Sequence, residues 1–112
     1  MKLTEIVKQI VIDPRKLTHY ALNPTHPDGK DKAFVFATVL GITQENYEIL
    51  LHQLDQKAGQ TEVTIHKVID QGTLYTANIL IEGVTGRQVT VVTGWLVQAY
   101  TARLVTLRIK KR

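Results

Sequence analysis

Cysteine is absent from the 112 residues of the chain. Disulfide bonds and thiolate metal sites are therefore excluded, and a reducing compartment fits the composition. The sequence has no apolar run near the roughly 18 residues that span a bilayer. Its first residues also lack the apolar core and small-residue cleavage site of a signal peptide. These absences predict a cytoplasmic protein without a membrane partner.

Acidic residues are absent from the C-terminal part of the sequence. All ten Asp and Glu residues lie at or before Glu82, whereas six Lys and Arg residues follow Gly83. This asymmetry indicates an anionic partner, either nucleic acid or an acidic protein. The alternative is a solubilising basic tail, because three of the six cations are the last three residues of the sequence.

The composition, with 44% hydrophobic and 21% charged residues, predicts one globular domain over residues 1–112. Its first half, about residues 1–59, has helical periodicity. An opening helix is predicted over residues 3–11, although residues 10–12 could instead form a short strand. Further helices are predicted from Asp13-Pro14 to Leu22, from an Asp31 cap to Gly41, and over residues 43–58.

The second half, about residues 60–112, is rich in Val, Ile, Thr and Tyr with a period of two. Strands are predicted over residues 61–69, 73–82, 87–97 and 103–109, joined as hairpins. We therefore expect an α+β fold with the N-terminal helices packed on one face of a four-stranded antiparallel sheet. Gly94 predicts a bulge or a close backbone approach. Strict alternation puts Thr106 and Arg108 on the face of Leu104, and Arg103 on the other.

The segment HPDGKDK (residues 26–32) precedes the third predicted helix. His26, Lys30 and Lys32 surround a helix start with unpaired amides, an arrangement that suits a phosphate. The alternative is a capped surface turn with solvated lysines. No P-loop frame is present, since the segment has a single glycine.

The four histidines do not have the spacing of a zinc motif, so no metal is predicted. His19 and His26 are separated by the Asn23-Pro24 bend and could approach one substrate together. Histidine titrates near neutrality, which makes these two the acid–base candidates. A structural role is the alternative for each.

The last two predicted strands contain VTGWLV and ARLVTL. Trp95 is either a core residue or a platform for base stacking. Arg103, Thr106 and Arg108 lie among apolar residues, where an arginine either pairs with a buried acid or binds a phosphodiester. The predicted catalytic residues are His26, Lys32, Arg103 and Thr106. The predicted substrate-binding residues are His19, Lys30, Trp95 and Arg108.

The sequence has no nucleophile elbow, acidic cluster or dinucleotide fingerprint. Histidine, lysine, arginine and hydroxyl groups can cleave RNA without metal or cofactor, by proton transfer and charge stabilisation. These residues therefore allow a ribonuclease without a cofactor, and the alternative is a non-catalytic binding module.

The segments KLTHYALNPTHPDGKDKAFVF, VTGWLV and ARLVTL resemble a small family of uncharacterised bacterial domains with the pattern KLxxYxLNxxHPxGxxKA, a tryptophan strand and a terminal RLVT strand. The likeness covers nearly the whole chain. It implies similarity to the barnase–EndoU–colicin–RelE ribonucleases, and we therefore expect a toxin-like ribonuclease with RNA and a small acidic antitoxin-like protein as partners. The alternative that it implies is a binding module associated with phage or toxin–antitoxin proteins. It also implies that His26, Lys32, Trp95, Arg103 and Thr106 form the site. Ala102 departs from the family's proline, and His19 occupies a variable position.

Overall fold

The computed structural model describes residues 1–110, so Lys111 and Arg112 of the predicted basic segment lie outside the described residues. The helices are α1 (Leu3–Ile6), α2 (Lys30–Val35) and α3 (Glu48–Lys57), with π-helical turns at Leu17–Ala21 and Phe36–Leu40 and 3₁₀ turns at Gln44–Asn46 and Ala58–Gln60. The strands are β1 (Gln9–Val11), β2 (Val63–Ile69), β3 (Gly72–Glu82), β4 (Gln88–Gln98) and β5 (Thr101–Ile109). The predicted α+β class is confirmed.

The sheet has five strands in the order β1-β5-β4-β3-β2, and β1 runs parallel to β5. The four predicted strands, β2 to β5, pair antiparallel as expected, but the prediction missed the fifth strand, β1, and its parallel pairing. The amides of Lys8 and Gln9 donate to the carbonyl of Tyr100 over 2.8 and 3.3 Å, which starts β1 beside β5. The short-strand alternative for this region is correct. The sequence left the choice open because the period of so short an apolar run does not distinguish a strand from a helix.

Two predicted helix boundaries are confirmed and one is wrong. The amide of Arg15 donates to the Asp13 carboxylate over 3.0 Å, and Gly41 ends the Phe36–Leu40 turn with a φ of +67°. Helix α2 begins at Lys30, so Asp31 lies in its first turn instead of capping it. None of the helices within residues 1–110 has the length and apolarity needed to cross a membrane.

The hydrophobic core lies between the helices and one face of the sheet. It combines Phe36, Leu50 and Leu54 from the helical half with Ile79 and Trp95 from the strands, all fully buried. The residues that alternate with the buried ones on β3, β4 and β5 form the opposite face, which we call the open face. This face is available to a ligand.

The β4–β5 hairpin has a two-residue turn of Ala99 and Tyr100, with φ of 50° and 63°. Hairpins of this kind favour Asn or Gly, since other L-residues are strained at positive φ. We expect Ala99→Asn to raise the free energy of unfolding by about 0.5–1 kcal/mol, measured by urea denaturation. The control Ala37→Asn, in a helical turn, should lower it. A destabilised Ala99→Asn protein would contradict the expectation.

Candidate functional site

His26 fastens the loop ahead of α2. The amides of Asp28 and Gly29 both donate to its Nδ1 atom over 3.0 Å. A neutral imidazole that accepts at Nδ1 carries its proton on Nε2, so His26 presents an N–H donor on its other side. These two loop amides are already bonded to His26 and are not free for a phosphate, and the predicted cradle at the start of α2 stays a prediction.

Gly29 allows this loop to pack closely on the Leu17–Ala21 turn. A Cβ atom there would lie 2.1 Å from the carbonyl oxygen of Tyr20, which leaves no room for any side chain. The close approach sets the His26 ring edge-on to the Tyr20 ring, with 5.1 Å between centroids and an interplanar angle of 85°. The loop therefore positions His26 against Tyr20.

Lys32 joins this loop to the sheet. Its ammonium donates to the Tyr20 hydroxyl over 2.8 Å and to the Thr106 hydroxyl over 3.1 Å, and lies 4.6 Å from the centre of the Tyr20 ring. His26, Tyr20, Lys32 and Thr106 thus form a continuous set of contacts, which we call the Lys32 cluster. Three of the four predicted catalytic residues belong to it.

A β-bulge on β5 decides which residues stand beside the Lys32 cluster. Thr106 is opposite Gly94 and Leu104 is opposite Trp95, so Val105 is the extra residue. Arg103, Thr106 and Arg108 are consequently paired with Leu96, Gly94 and Val92, which alternate along the open face of β4. The predicted separation of Arg103 from Thr106 and Arg108 is wrong, because the bulge shifts the alternation by one residue.

The predicted bulge at Gly94 is confirmed, and it brings β4 and β5 close together. A Cβ atom at Gly94 would lie 2.8 Å from Cγ2 of Thr106. The absence of a side chain at Gly94 therefore leaves space for Thr106 on the open face. Thr106 is exposed on its own strand while its hydroxyl accepts a hydrogen bond from Lys32.

The positive charge of the Lys32 cluster has no carboxylate partner. Among residues 1–110 the ion pairs are Arg15 with Asp13 and the N-terminal ammonium with Glu62. Lys32 is half-buried, whereas Arg103 is exposed beside β1, opposite Val11. A half-buried lysine that is bonded only to hydroxyls creates a positive potential suited to an anion.

A groove of about 590 Å³ lies beside the cluster and contains both predicted acid–base histidines. Its lining residues are Asp13, Arg15, Lys16, His19, Tyr20 and His26. His19 is exposed, and its Nδ1 atom lies 3.2 Å from the Thr18 hydroxyl. That hydroxyl donates its own hydrogen to the Pro14 carbonyl over 3.3 Å. When that hydrogen bonds to Pro14, the neutral His19 tautomer that fits carries its proton on Nδ1 and keeps the lone pair on Nε2.

Asp13 and Arg15 form the ion pair at the rim of this groove. Two nitrogens of the guanidinium donate to the carboxylate over 2.8 and 3.1 Å. These bonds, together with the Arg15 amide, lower the pKa of Asp13 from 3.8 to about 2. The ion pair itself is therefore neutral at physiological pH, and Lys16 adds one positive charge to the groove.

The Asp13 ion pair predicts an acid-dependent contribution to stability. The folded pKa lies below the ordinary value, so the stabilisation is complete above about pH 4 and is lost as the pH falls through about 2. Asp13→Asn should lower the urea midpoint at pH 6, and the difference from the wild type should vanish near pH 2. A difference that persists at pH 2 would contradict this cause.

Two predicted substrate-binding residues lie elsewhere. Trp95 is fully buried and its Nε1–H donates to Thr93 over 2.8 Å, so it belongs to the core and cannot stack on a base. Lys30 lines a different groove, with Phe34 and Glu45. Arg108, in contrast, lies on the open face two pairs beyond Thr106.

The comparison with protein families decides the affiliation of the chain. A family model described as "Domain of unknown function (DUF6883)" matches residues 2–111. The chain belongs to the DUF6883 family. No curated protein and no solved structure matches it. The predicted membership of a family of uncharacterised domains is thereby confirmed, and the link to ribonucleases stays a prediction.

Within this DUF6883 domain, Tyr20 is the site residue that sequence reasoning missed. Its spacing with Leu17 and Ala21 predicts a core position, and its ring does pack against the core. The hydroxyl, however, bonds to Lys32 and the side chain lines the histidine groove. The segment KLTHYALN did contain a signal. Its tyrosine is at a core-facing helical position, where a ring without a hydroxyl would be enough for packing.

In the part of the chain that the structure describes, no three His, Asp or Glu residues come close enough to hold a metal ion. The groove and the Lys32 cluster contain imidazole, phenol, ammonium and guanidinium groups. These groups move protons and stabilise negative charge.

Proposed function

We propose that this DUF6883 domain is an endoribonuclease that cleaves RNA by metal-independent acid–base chemistry. The observation that carries the proposal is the half-buried Lys32 ammonium, bonded to two hydroxyls and no carboxylate, next to a groove with two histidines. A phosphodiester supplies the negative charge that Lys32 lacks. RNA also supplies the 2′-hydroxyl nucleophile, so that the protein needs only to move protons and stabilise charge.

His19 is the proposed general base. The neutral tautomer that donates from Nδ1 to Thr18 leaves the Nε2 lone pair free, and the residue is exposed in the groove. The 2′-oxygen attacks phosphorus while its proton passes to His19 Nε2. Attack forms the bond from the 2′-oxygen to phosphorus and leads to a 2′,3′-cyclic phosphate.

Tyr20 is the proposed general acid. Its oxygen accepts from Lys32, so its own O–H is free to donate into the groove. The bond from phosphorus to the 5′-oxygen breaks as this oxygen takes the phenolic proton. The Lys32 ammonium, 2.8 Å away, stabilises the resulting phenolate. Solvent then returns a proton from His19 to Tyr20, which restores both groups.

His26 is assigned to hydrogen-bond donation in place of the acid–base role expected from the sequence. Its Nδ1 atom is held by two amides, so its neutral form offers Nε2–H to a phosphate oxygen. Taking a proton from the substrate would require the other tautomer and would break both bonds. Arg103 on the open face adds a planar guanidinium for the same phosphate.

The proposal is tested with purified protein and total RNA in EDTA, followed by detection of 2′,3′-cyclic phosphate ends. His19→Ala, Tyr20→Phe and Arg103→Ala should each lower the cleavage rate by about 10²- to 10⁴-fold. The matched controls His66→Ala and Lys67→Ala lie on β2, at the opposite edge of the sheet. They should cleave like the wild type.

Two results would overturn this function. One is intact RNA at high concentrations of folded wild-type protein. The other is cleavage that persists in the Tyr20→Phe and His19→Ala proteins at the wild-type rate, which would indicate a contaminating nuclease. RNA binding without cleavage would favour the binding module that the sequence left as the alternative.

A further inference from the structure

A second groove runs between α2 and the ends of strands β4 and β5. It has a volume of about 490 Å³. Its floor is apolar and consists of Val35, Val39, Val89 and Ile109. Val35 is 37% exposed on the helix, so part of this apolar surface faces solvent. Apolar walls of this size accept a flat, weakly polar group.

The rim of the same groove is cationic. Its charged residues are Lys32, Arg87, Arg108 and Lys110, with Asp31 as the one acid among its lining residues. Arg108 and Lys110 also border a depression on the open face with Asn78 and Val92. The rim therefore complements a ligand with several negative charges along its length, rather than an anion with one charge at its end.

Lys32 connects this groove to the proposed catalytic site. It lines the groove and also bonds to Tyr20 and Thr106. Arg108 stands on the same open face as Thr106, opposite the next β4 residue of that face. A polyanion held at Lys32 thus reaches the groove without leaving the protein surface.

We propose that the groove binds the nucleotide next to the scissile phosphate, which we call the adjoining nucleotide. Its base lies on the apolar floor, and its outer phosphate contacts Arg87 and Arg108. The inference rests on the proposed ribonuclease function, since it takes RNA as the ligand of Lys32. The proposed substrate is single-stranded RNA, because a base within a duplex would not reach the apolar floor of the groove.

Binding is tested without cleavage, using a 2′-O-methyl RNA tetranucleotide whose blocked 2′-oxygen cannot attack. A fluorescent copy is titrated by anisotropy, beside four copies with one abasic position each. One abasic copy should bind about tenfold more weakly than the parent, because it loses the apolar contact of the base. Val35→Glu should remove that difference between the two copies.

The charge of the rim is tested with Arg87→Gln and Arg108→Gln. Each should weaken binding of every copy and reduce the dependence of affinity on salt concentration by about one ion. The matched controls on β2 are Val68→Glu, where the valine is 72% exposed, and Lys67→Gln. Both should bind the parent and abasic copies as the wild type does.

The outcomes separate the groove from the catalytic proposal. RNA cleavage by the wild type together with equal binding of all abasic copies overturns the groove and leaves the ribonuclease. Groove-dependent binding without cleavage supports the groove and overturns the ribonuclease. Val35→Glu protein that folds, as judged by circular dichroism, and keeps the full base preference also overturns the groove.

Discussion

Replacing Lys32 with methionine is expected to lower the rate of RNA cleavage by about 10²- to 10³-fold, the cost of removing one preorganised donor of charge stabilisation. The ammonium donates to the Tyr20 oxygen, on which negative charge develops in the proposed mechanism. Methionine keeps the length of the side chain and removes the charge. The effect should fall on kcat, measured under single-turnover conditions with a defined oligonucleotide.

If Lys32 had only a structural role, Lys32→Met would lower the melting temperature. Its half-buried charge has no carboxylate partner among the described residues, so its removal relieves a cost of desolvation. We therefore expect Lys32→Met to leave the melting temperature unchanged or raise it. The control Lys67→Met on β2 should change neither activity nor stability. A Lys32→Met protein that is inactive only because it is unfolded would contradict the catalytic role.

A double-mutant cycle separates the two contacts of Lys32. If Lys32 acts through the phenol, then Lys32→Met should cost little extra in a Tyr20→Phe background. Thr106→Val removes the other acceptor, and Thr64→Val on β2 is its matched control. Additive losses for Lys32→Met and Tyr20→Phe would show that the ammonium acts on the phosphate independently of Tyr20.

The long segments with a clear hydrophobic period were predicted well from the sequence. Helix α3 and strands β2 to β5 lie within a few residues of their predicted positions, since burial of one face imposes the period that defines each element. Strand β1 could not be predicted with the same certainty, because it has three residues and its partner β5 lies about ninety residues later. Its identity depends on the free edge of β5, which is a tertiary property.

The candidate site was predictable in its residue types and less so in its geometry. His26, Lys32 and Thr106 do lie in one set of contacts, and His19 lies in the adjoining groove. Gly94 predicted the bulge, but it did not indicate that the extra residue would be Val105 on the partner strand. That one residue decides whether Arg103, Thr106 and Arg108 share a face.

The direction of the Lys30 side chain at the start of α2 could not be predicted from the sequence either. The sequence grouped it with Lys32, two residues away, although residues at that spacing point in different directions on a helix. The structure accordingly turns Lys30 toward Phe34 and Glu45, and Lys32 toward Tyr20 and Thr106. The sequence predicted a start at the Asp31 cap, whereas α2 begins at Lys30, and its register could not be inferred from the loop.

Trp95→Ala is expected to lower the free energy of unfolding by about 3–5 kcal/mol, the range for deletion of a buried aromatic side chain. Trp95 is fully buried opposite Leu104, and its Nε1–H donates to Thr93, whose hydroxyl donates in turn to the Ala77 carbonyl over 2.8 Å. The substitution leaves a cavity and removes one donor from this buried chain of hydrogen bonds.

A second substitution of Trp95 distinguishes a role in packing from a role in base stacking. Trp95→Phe keeps most of the apolar volume, so it should cost less than the alanine variant and leave the affinity for the 2′-O-methyl tetranucleotide unchanged. Phe34→Ala is the control, because that ring is 70% exposed and its loss should change the unfolding free energy by less than about 0.5 kcal/mol. Guanidinium denaturation monitored by circular dichroism measures all three variants. A Trp95→Phe protein of normal stability that no longer binds RNA would mean that the indole reaches the ligand, and the assignment of Trp95 to the core would then be wrong.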